Sequence, residues 1–160
     1  MKILYSTRAR ATLQHVQPGD KTWNAVRAEI ASILRSRAML KKTIAYSELS
    51  SLLRTAPVPY DSVEMATLLR EVSTEENAAG RGMLSVIVVH KSGDQMPGPG
   101  FFTLAAELGR DVSDPLKCWI EEIYRVYASN GPSIRTPSVP KKARAKRPRA
   151  RVPRRSTRSR

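Results

Sequence analysis

The residues with the clearest chemical potential sit in one block, "VIVVHKSGDQMPGPGFF", from Val86 to Phe102. His90 and Lys91 follow directly on an apolar run, and a histidine at such an exit titrates near neutrality and can serve as an acid or a base. Gly98 and Gly100 lie just ahead of a helix start, where backbone N–H groups can receive an anion such as a phosphate. Each signal has a plainer reading. Glycine and proline also build tight strand-to-helix connections, with Phe101 and Phe102 as anchors, and no Lys-Ser/Thr pair follows to complete a nucleotide-binding loop. The only other histidine, His15, is distant in sequence and does not support a two-histidine centre. The run "VIVVHK" also lacks the acidic residue that a metal-dependent nuclease strand would place two positions before the lysine.

Other reactive types read as structural. Cys118 is the only cysteine, which excludes an intramolecular disulfide and a cysteine-rich zinc site. It falls in the helical pattern "PLKCWIEEIYRVY", where a lone thiol is a small buried apolar group. The adjacent Glu75 and Glu76 read as solvated side chains on a polar connector. Glu121 and Glu122, with Arg125 three and four positions on, read as ordinary ion pairing on a helix surface. No catalytic residue, metal site or cofactor is assigned.

The elements that must position these residues follow from periodicity. Trp23, Val26, Ile30, Ile33 and Leu34 recur at helical spacing, so a helix is predicted over 22–40, capped by Asp20 or Thr22. Thr43 to Tyr46 reads as extended, and Ser47 as the cap of a short helix burying Leu49, Leu52 and Leu53. After "APVPY", Asp61 and Glu64 form an Asp-x-x-Glu start. A helix is then expected to Val72, burying Val63 or Met65, then Ala66, Leu69 and Val72, with "STEENAAGRG" as connector. Met83 to Val89 is rich in β-branched residues and is predicted as a strand buried on both faces. "FFTLAAELG" is predicted as a short helix ended by Gly109. A final helix starts at Ser113 or Asp114 with Pro115 in its first turn, and lines one side with Leu116, Trp119, Ile123 and Val126.

Charge divides the chain more sharply than hydropathy does. The net charge is +14, and residues 133–160 hold twelve Lys or Arg and no Asp or Glu. Ile134, Val139 and Val152 are the only large apolar side chains there. Such a segment cannot bury enough surface to offset its ordering entropy, so residues 1–132 are predicted as a globular domain and 133–160 as a disordered basic tail. The tail cations assigned to nucleic-acid binding are Lys141, Lys142, Arg144, Lys146, Arg147, Arg149, Arg151, Arg154, Arg155, Arg158 and Arg160. Interspersed prolines keep the arm extended, arginines fork onto phosphate oxygens, and contact with DNA releases condensed counterions. The tail has no aromatic residue for stacking on single-stranded bases. The N-terminal apolar stretch is too short for a signal peptide and no run approaches a membrane span, so a cytoplasmic, nucleoid-associated location without membrane contact is expected.

The order helix, short strand, two helices, returning strand and glycine-rich turn describes an α+β, helix-rich domain of winged-helix type. In it, residues 61–72 would be the recognition helix and 91–100 would stand near a wing. Along residues 22–102, "TWNAVRAEIASIL", "KKTIAYSELSSLL" and "SVIVVHKSGDQMPGPGFF" together resemble the DNA-binding domain of alkylguanine-DNA alkyltransferases. That resemblance implies a winged-helix domain that binds DNA. The family's nucleophile lies in a Pro-Cys-His-Arg motif, and here the matching stretch is "VVHK", so alkyl transfer to a thiol has no nucleophile at that place. Arg70 is the one candidate for the family's recognition-helix arginine, and it comes late in the helix. The strand-turn block is also similar to a segment of uncharacterised bacterial and phage proteins, which implies no activity. The tail resembles, in composition, the basic tails of bacterial nucleoid proteins and linker histones.

The sequence therefore points to a non-catalytic nucleic-acid-binding protein, with duplex DNA as partner and the tail supplying sequence-independent affinity. Arg70, His90, Lys91, Gly98 and Gly100 are the candidate body contacts. Two alternatives stay open. One is an enzyme acting on nucleic acid through His90 and Lys91. The other is a phage or mobile-element adaptor whose body binds a host protein.

Overall fold

A computed structural model describes residues 17–131, and the basic tail assigned above lies outside the described residues. The element order is α1 (Lys21–Met39), β1 (Ile44–Ala45), α2 (Tyr46–Leu52), α3 (Val63–Ala78), a 3-10 helix (Leu84–Ile87), β2 (Val88–Val89), α4 (Pro99–Glu107) and α5 (Pro115–Asn130). This is an α+β domain, mostly helical, with one small sheet among the described residues. β1 and β2 pair in parallel, Ile44 opposite Val88 and Ala45 opposite Val89. A parallel pair cannot be closed by a hairpin, and here the crossover consists of α2, α3 and the 3-10 helix.

The predicted helix ends hold where the cap is local. Asp20 accepts a hydrogen bond from Trp23 N and starts α1, and Asp114 accepts from Lys117 N with Pro115 at the first position of α5. Gly109, at φ 80°, follows α4. Elsewhere the structure corrects the prediction. Ser62, not Asp61, caps α3, by accepting from Met65 N. α3 runs six residues past Val72 and absorbs most of the supposed connector. α2 starts at Tyr46, so Ser47 sits inside its first turn, and of the predicted Leu49, Leu52 and Leu53 only Leu49 is fully buried.

The apolar run at 83–89 is buried throughout, as its composition requires, but only Val88 and Val89 are strand. Leu84 to Ile87 coil into a 3-10 turn against α1, α3 and α5. Surrounded by helices, these residues have no second strand to pair with. Their polar groups are met by side chains: Ser85 N donates to Ser73 Oγ at 2.9 Å, and Val86 O accepts from Trp119 Nε1 at 3.1 Å.

Two carboxylates are buried, contrary to the solvated reading given to each. Glu76, 2% exposed, lies on the last turns of α3 between Arg35 of α1 and Arg81, whose Nε and Nη2 donate at 2.7 and 2.8 Å. Glu122, 1% exposed, faces the core side of α5. It accepts from Met83 N at 2.8 Å and from Arg110 Nε at 2.8 Å, and Arg125 lies 3.7 Å away. Arg110 also donates to Asn77 Oδ1 at 2.6 Å, joining the two clusters through α3. Gly82 sits in this crowd at φ 83°, and an added Cβ would lie 3.0 Å from both Glu122 Oε1 and Val126 Cγ2. Position 82 therefore needs glycine for its backbone and for its space.

The Arg81 hydrogen bonds, with Arg35 second, outweigh burial and hold the Glu76 carboxyl at about 2. A carboxyl depressed in the fold contributes stability above its unfolded value near 4.5, and that stability is lost as pH falls toward 2. Both arginines are roughly half exposed, so screening reduces the effect to the order of 2 kcal/mol. Glu76→Gln should be destabilised relative to the native chain by a constant amount above pH 5, and the gap should close between pH 4.5 and 2. Urea unfolding of both proteins across that range measures it, and a gap independent of pH would remove the ionic account.

Candidate functional site

A cleft of about 490 Å³ opens between the start of α3 and the start of α4. Tyr60, Asp61, Ser62 and Val63 border it on the α3 side, and Gly98, Pro99, Gly100 and Phe101 on the α4 side. Tyr46, Met65, Ser85 and Leu104 are among its other walls. Two helix N-termini thus border one cavity, and their first turns are largely engaged: Met65 N donates to Ser62 Oγ, Pro99 has no N–H, and Phe101 N donates to Gly98 O. The volume lies within the ~300–1,000 Å³ of ligand pockets. Its charged groups are Asp61 and Arg70, and the rest of the surface is hydroxyl, aromatic and aliphatic. Such a lining suits a flat, partly apolar group with polar edges better than a bare phosphate.

The local sequence explains the geometry. Val88 and Val89 bring the chain to the domain edge beside β1, and His90 N donates to Met96 O at 3.1 Å to close the intervening turn. Gln95 takes φ 54° within that turn. Gly98 then caps α4 with no side-chain bond of its own, and Pro99 opens the helix. Gly98 N donates to Tyr46 Oη at 3.2 Å, linking the first residue of α2 to the cap of α4. Burial, set against that hydrogen bond, pushes the Tyr46 phenol up. The Tyr46 and His90 rings stand 5.4 Å apart, tilted by 38°. A Cβ on Gly98 would lie 3.1 Å from Tyr46 Oη and 3.5 Å from His90 Nε2, so the close approach of these rings depends on glycine there.

Of the residues singled out from sequence, the structure brings Arg70, Gly98 and Gly100 to one cleft. Arg70 bridges from α3 to Glu107 of α4 and ties the two sides together. His90 is exposed beside Tyr46 and Gly98, outside the cleft lining, and Lys91 is exposed in the turn. Among the described residues no carboxylate hydrogen-bonds to His90, and no group of three or more His, Cys, Asp or Glu is placed to hold a metal ion. Cys118 is buried, as predicted, and burial, with Glu122 nearby, pushes its thiol up, away from the thiolate a nucleophile needs. Tyr46, Tyr60 and Ser62 are the residues that sequence reading missed. Tyr46 lay in the segment that carried the family resemblance, but nothing local indicated its contact 52 residues away.

No helix of the described residues is long and apolar enough to cross a membrane. Comparison of the chain with protein-family models, with curated proteins and with solved structures found no match.

Proposed function

We propose that this protein binds nucleic acid, duplex DNA foremost, without performing chemistry on it, and that it works in association with the nucleoid. The observation that carries the reading is the division of charge. Residues 17–131 hold thirteen Lys or Arg against fourteen Asp or Glu, whereas residues 133–160 hold twelve Lys or Arg and no acid. Eight of the thirteen body cations are engaged by carboxylates. Long-range attraction to a polyanion therefore resides in the tail, and the body adds shape and orientation.

In a winged-helix-like arrangement α3 would lie nearest the duplex. Residues 61–78 carry Asp61, Glu64, Glu71, Glu75 and Glu76 against Arg70 alone, so a phosphate backbone laid along the whole helix would meet net repulsion. The approach that avoids this is end-on, through the cleft. Support for the cleft as the body's contact comes from the two segments that carry the likeness to DNA alkyltransferases: Thr43–Leu49 and Val86–Phe102 meet there through Tyr46 and Gly98. Its aromatic walls and polar rims suit a base turned out of the stack, a rearrangement that costs least at a mismatched or damaged pair. With Val89 and His90 where the family has its cysteine motif, such a base would be held and not altered. The adaptor alternative is favoured by one observation, an exposed apolar stripe on α5.

Titration of the full chain against matched duplex, mismatched duplex, single strand and RNA at several salt concentrations tests the proposal. Duplex should be preferred to single strand, with a further gain at the mismatch. His90→Ala should change duplex affinity by less than about tenfold, or ~1.4 kcal/mol. A purified chain that cuts or modifies nucleic acid, and stops doing so as His90→Ala, would establish the enzymatic alternative instead.

A further inference from the structure

α5 has more apolar surface than the domain uses. Cys118, Glu122 and Val126 face the core, and Trp119, Ile123 and Tyr127 form the half-buried flank. Beyond that flank, Leu116, Ile120 and Tyr124 recur every four residues and are 53%, 41% and 69% exposed. They continue the core surface around the helix, whereas the opposite flank carries Lys117, Glu121 and Arg125. A half-buried stripe widened by a second apolar row is the pattern of a helix with packing partners on two sides, and the described residues supply one of them.

We propose that residues 1–16 of this chain pack along Leu116, Ile120 and Tyr124. Two segments lie outside the described residues, and their composition separates them. Residues 1–16 contain Met1, Ile3, Leu4, Tyr5, Leu13 and Val16, with the first four inside five positions. Residues 132–160 contain Ile134, Val139 and Val152, far apart among twelve cations. Reach does not limit the N-terminal segment: sixteen residues extend to about 50 Å from Gln17, against a radius of gyration of about 13 Å for a domain of this size. Charge agrees. Residues 1–16 carry Lys2, Arg8 and Arg10 and no acid, and the Leu116 end of the stripe has the exposed Asp111 and Asp114 beside it. The rival occupants are a second copy of the chain and an unrelated protein.

A nitroxide on the full-length chain decides between them. Ala128→Cys and Lys117→Cys place the label at either end of the stripe on exposed, non-stripe positions, while the buried Cys118 labels slowly. Methyl signals of Ile3 and Leu4 should broaden in both labelled chains. They should stay sharp when labelled chain is mixed with separately isotope-labelled chain, and should sharpen when Ile120→Ser and Tyr124→Ser are added. Sharp Ile3 and Leu4 signals in both singly labelled chains overturn the proposal. Broadening only in the mixed sample assigns the stripe to a second copy and overturns it equally. Broadening that survives the two serine substitutions shows contact elsewhere and also overturns it.

Discussion

Deletion of residues 133–160 is expected to remove most of the salt dependence of duplex binding. Twelve cations are present, but not all of them are expected to seat on phosphates at once. With about six on phosphates, log affinity should fall against log salt with a slope near −5, roughly a thousandfold between 50 and 200 mM. The remaining body is close to neutral and most of its arginines are held by carboxylates, so its slope should be shallow. The described elements end at Asn130, so the deletion removes none of them. Replacing Arg149, Arg151, Arg154 and Arg155 by Ala should take away part of the slope, by similar amounts on unrelated sequences. Replacing the same four by Lys should preserve most of it, since point charge governs counterion release. A tail-free chain that binds as tightly and as salt-sensitively as the whole would place recognition in the body, at residues 61–72 and 91–100.

Glu122→Ala is expected to be the most damaging single substitution on α5, at about 3–5 kcal/mol. It strands Met83 N and the largely buried Arg110 together, and Arg110 is also the link to Asn77 of α3. Glu122→Gln should cost less than Glu122→Ala, because its one oxygen still accepts from Met83 N, although its NH2 cannot accept from Arg110. Glu121→Ala, one residue away, removes only a loose 3.9 Å pair with Lys117 on the surface and should stay within about 0.5 kcal/mol. Equilibrium unfolding in urea ranks the three. Equal losses for Glu121→Ala and Glu122→Ala would show that burial is not what distinguishes them.

That contrast shows what sequence could and could not convey. Helix starts were legible because a capping carboxylate and the backbone N–H that donates to it are three residues apart, as at Asp20 and Asp114. The burial of the segment at 83–89 was legible from its composition. Its 3-10 geometry was not, since β-branched residues fill an interior in either conformation and the choice depended on the helices around them. Glu76 and Glu122 were misread because a charged residue on a connector or on a helix face meets water unless a partner elsewhere in the fold covers it. Their partners, Arg35 and Arg110, lie 41 and 12 residues away. Leu116 was read as core from its spacing, but the spacing marks a face without saying what lies opposite. In the glycine-rich block the turn and the helix start were legible, whereas the strand reading held for Val88 and Val89 alone. Its role in forming a cleft depended on Tyr46 and the α3 N-terminus, which only the parallel pairing of β1 and β2 brings near.

That pairing also sets an order of assembly. Ile44 and Val88 can meet only after the chain between them has closed a loop of more than forty residues, and the reward is a ladder two residues long. The entropic cost of closure falls on a contact too small to drive it, so α1, α3 and the 3-10 helix must collapse first and deliver the two strands to each other. The ladder is therefore expected to close late, after that collapse, although Ile44 and Val88 then become part of the core. Because Tyr46 leads out of β1 and Gly98 follows β2, the cleft is expected to be completed only when the ladder closes, so the cavity takes its shape after the helices have already packed.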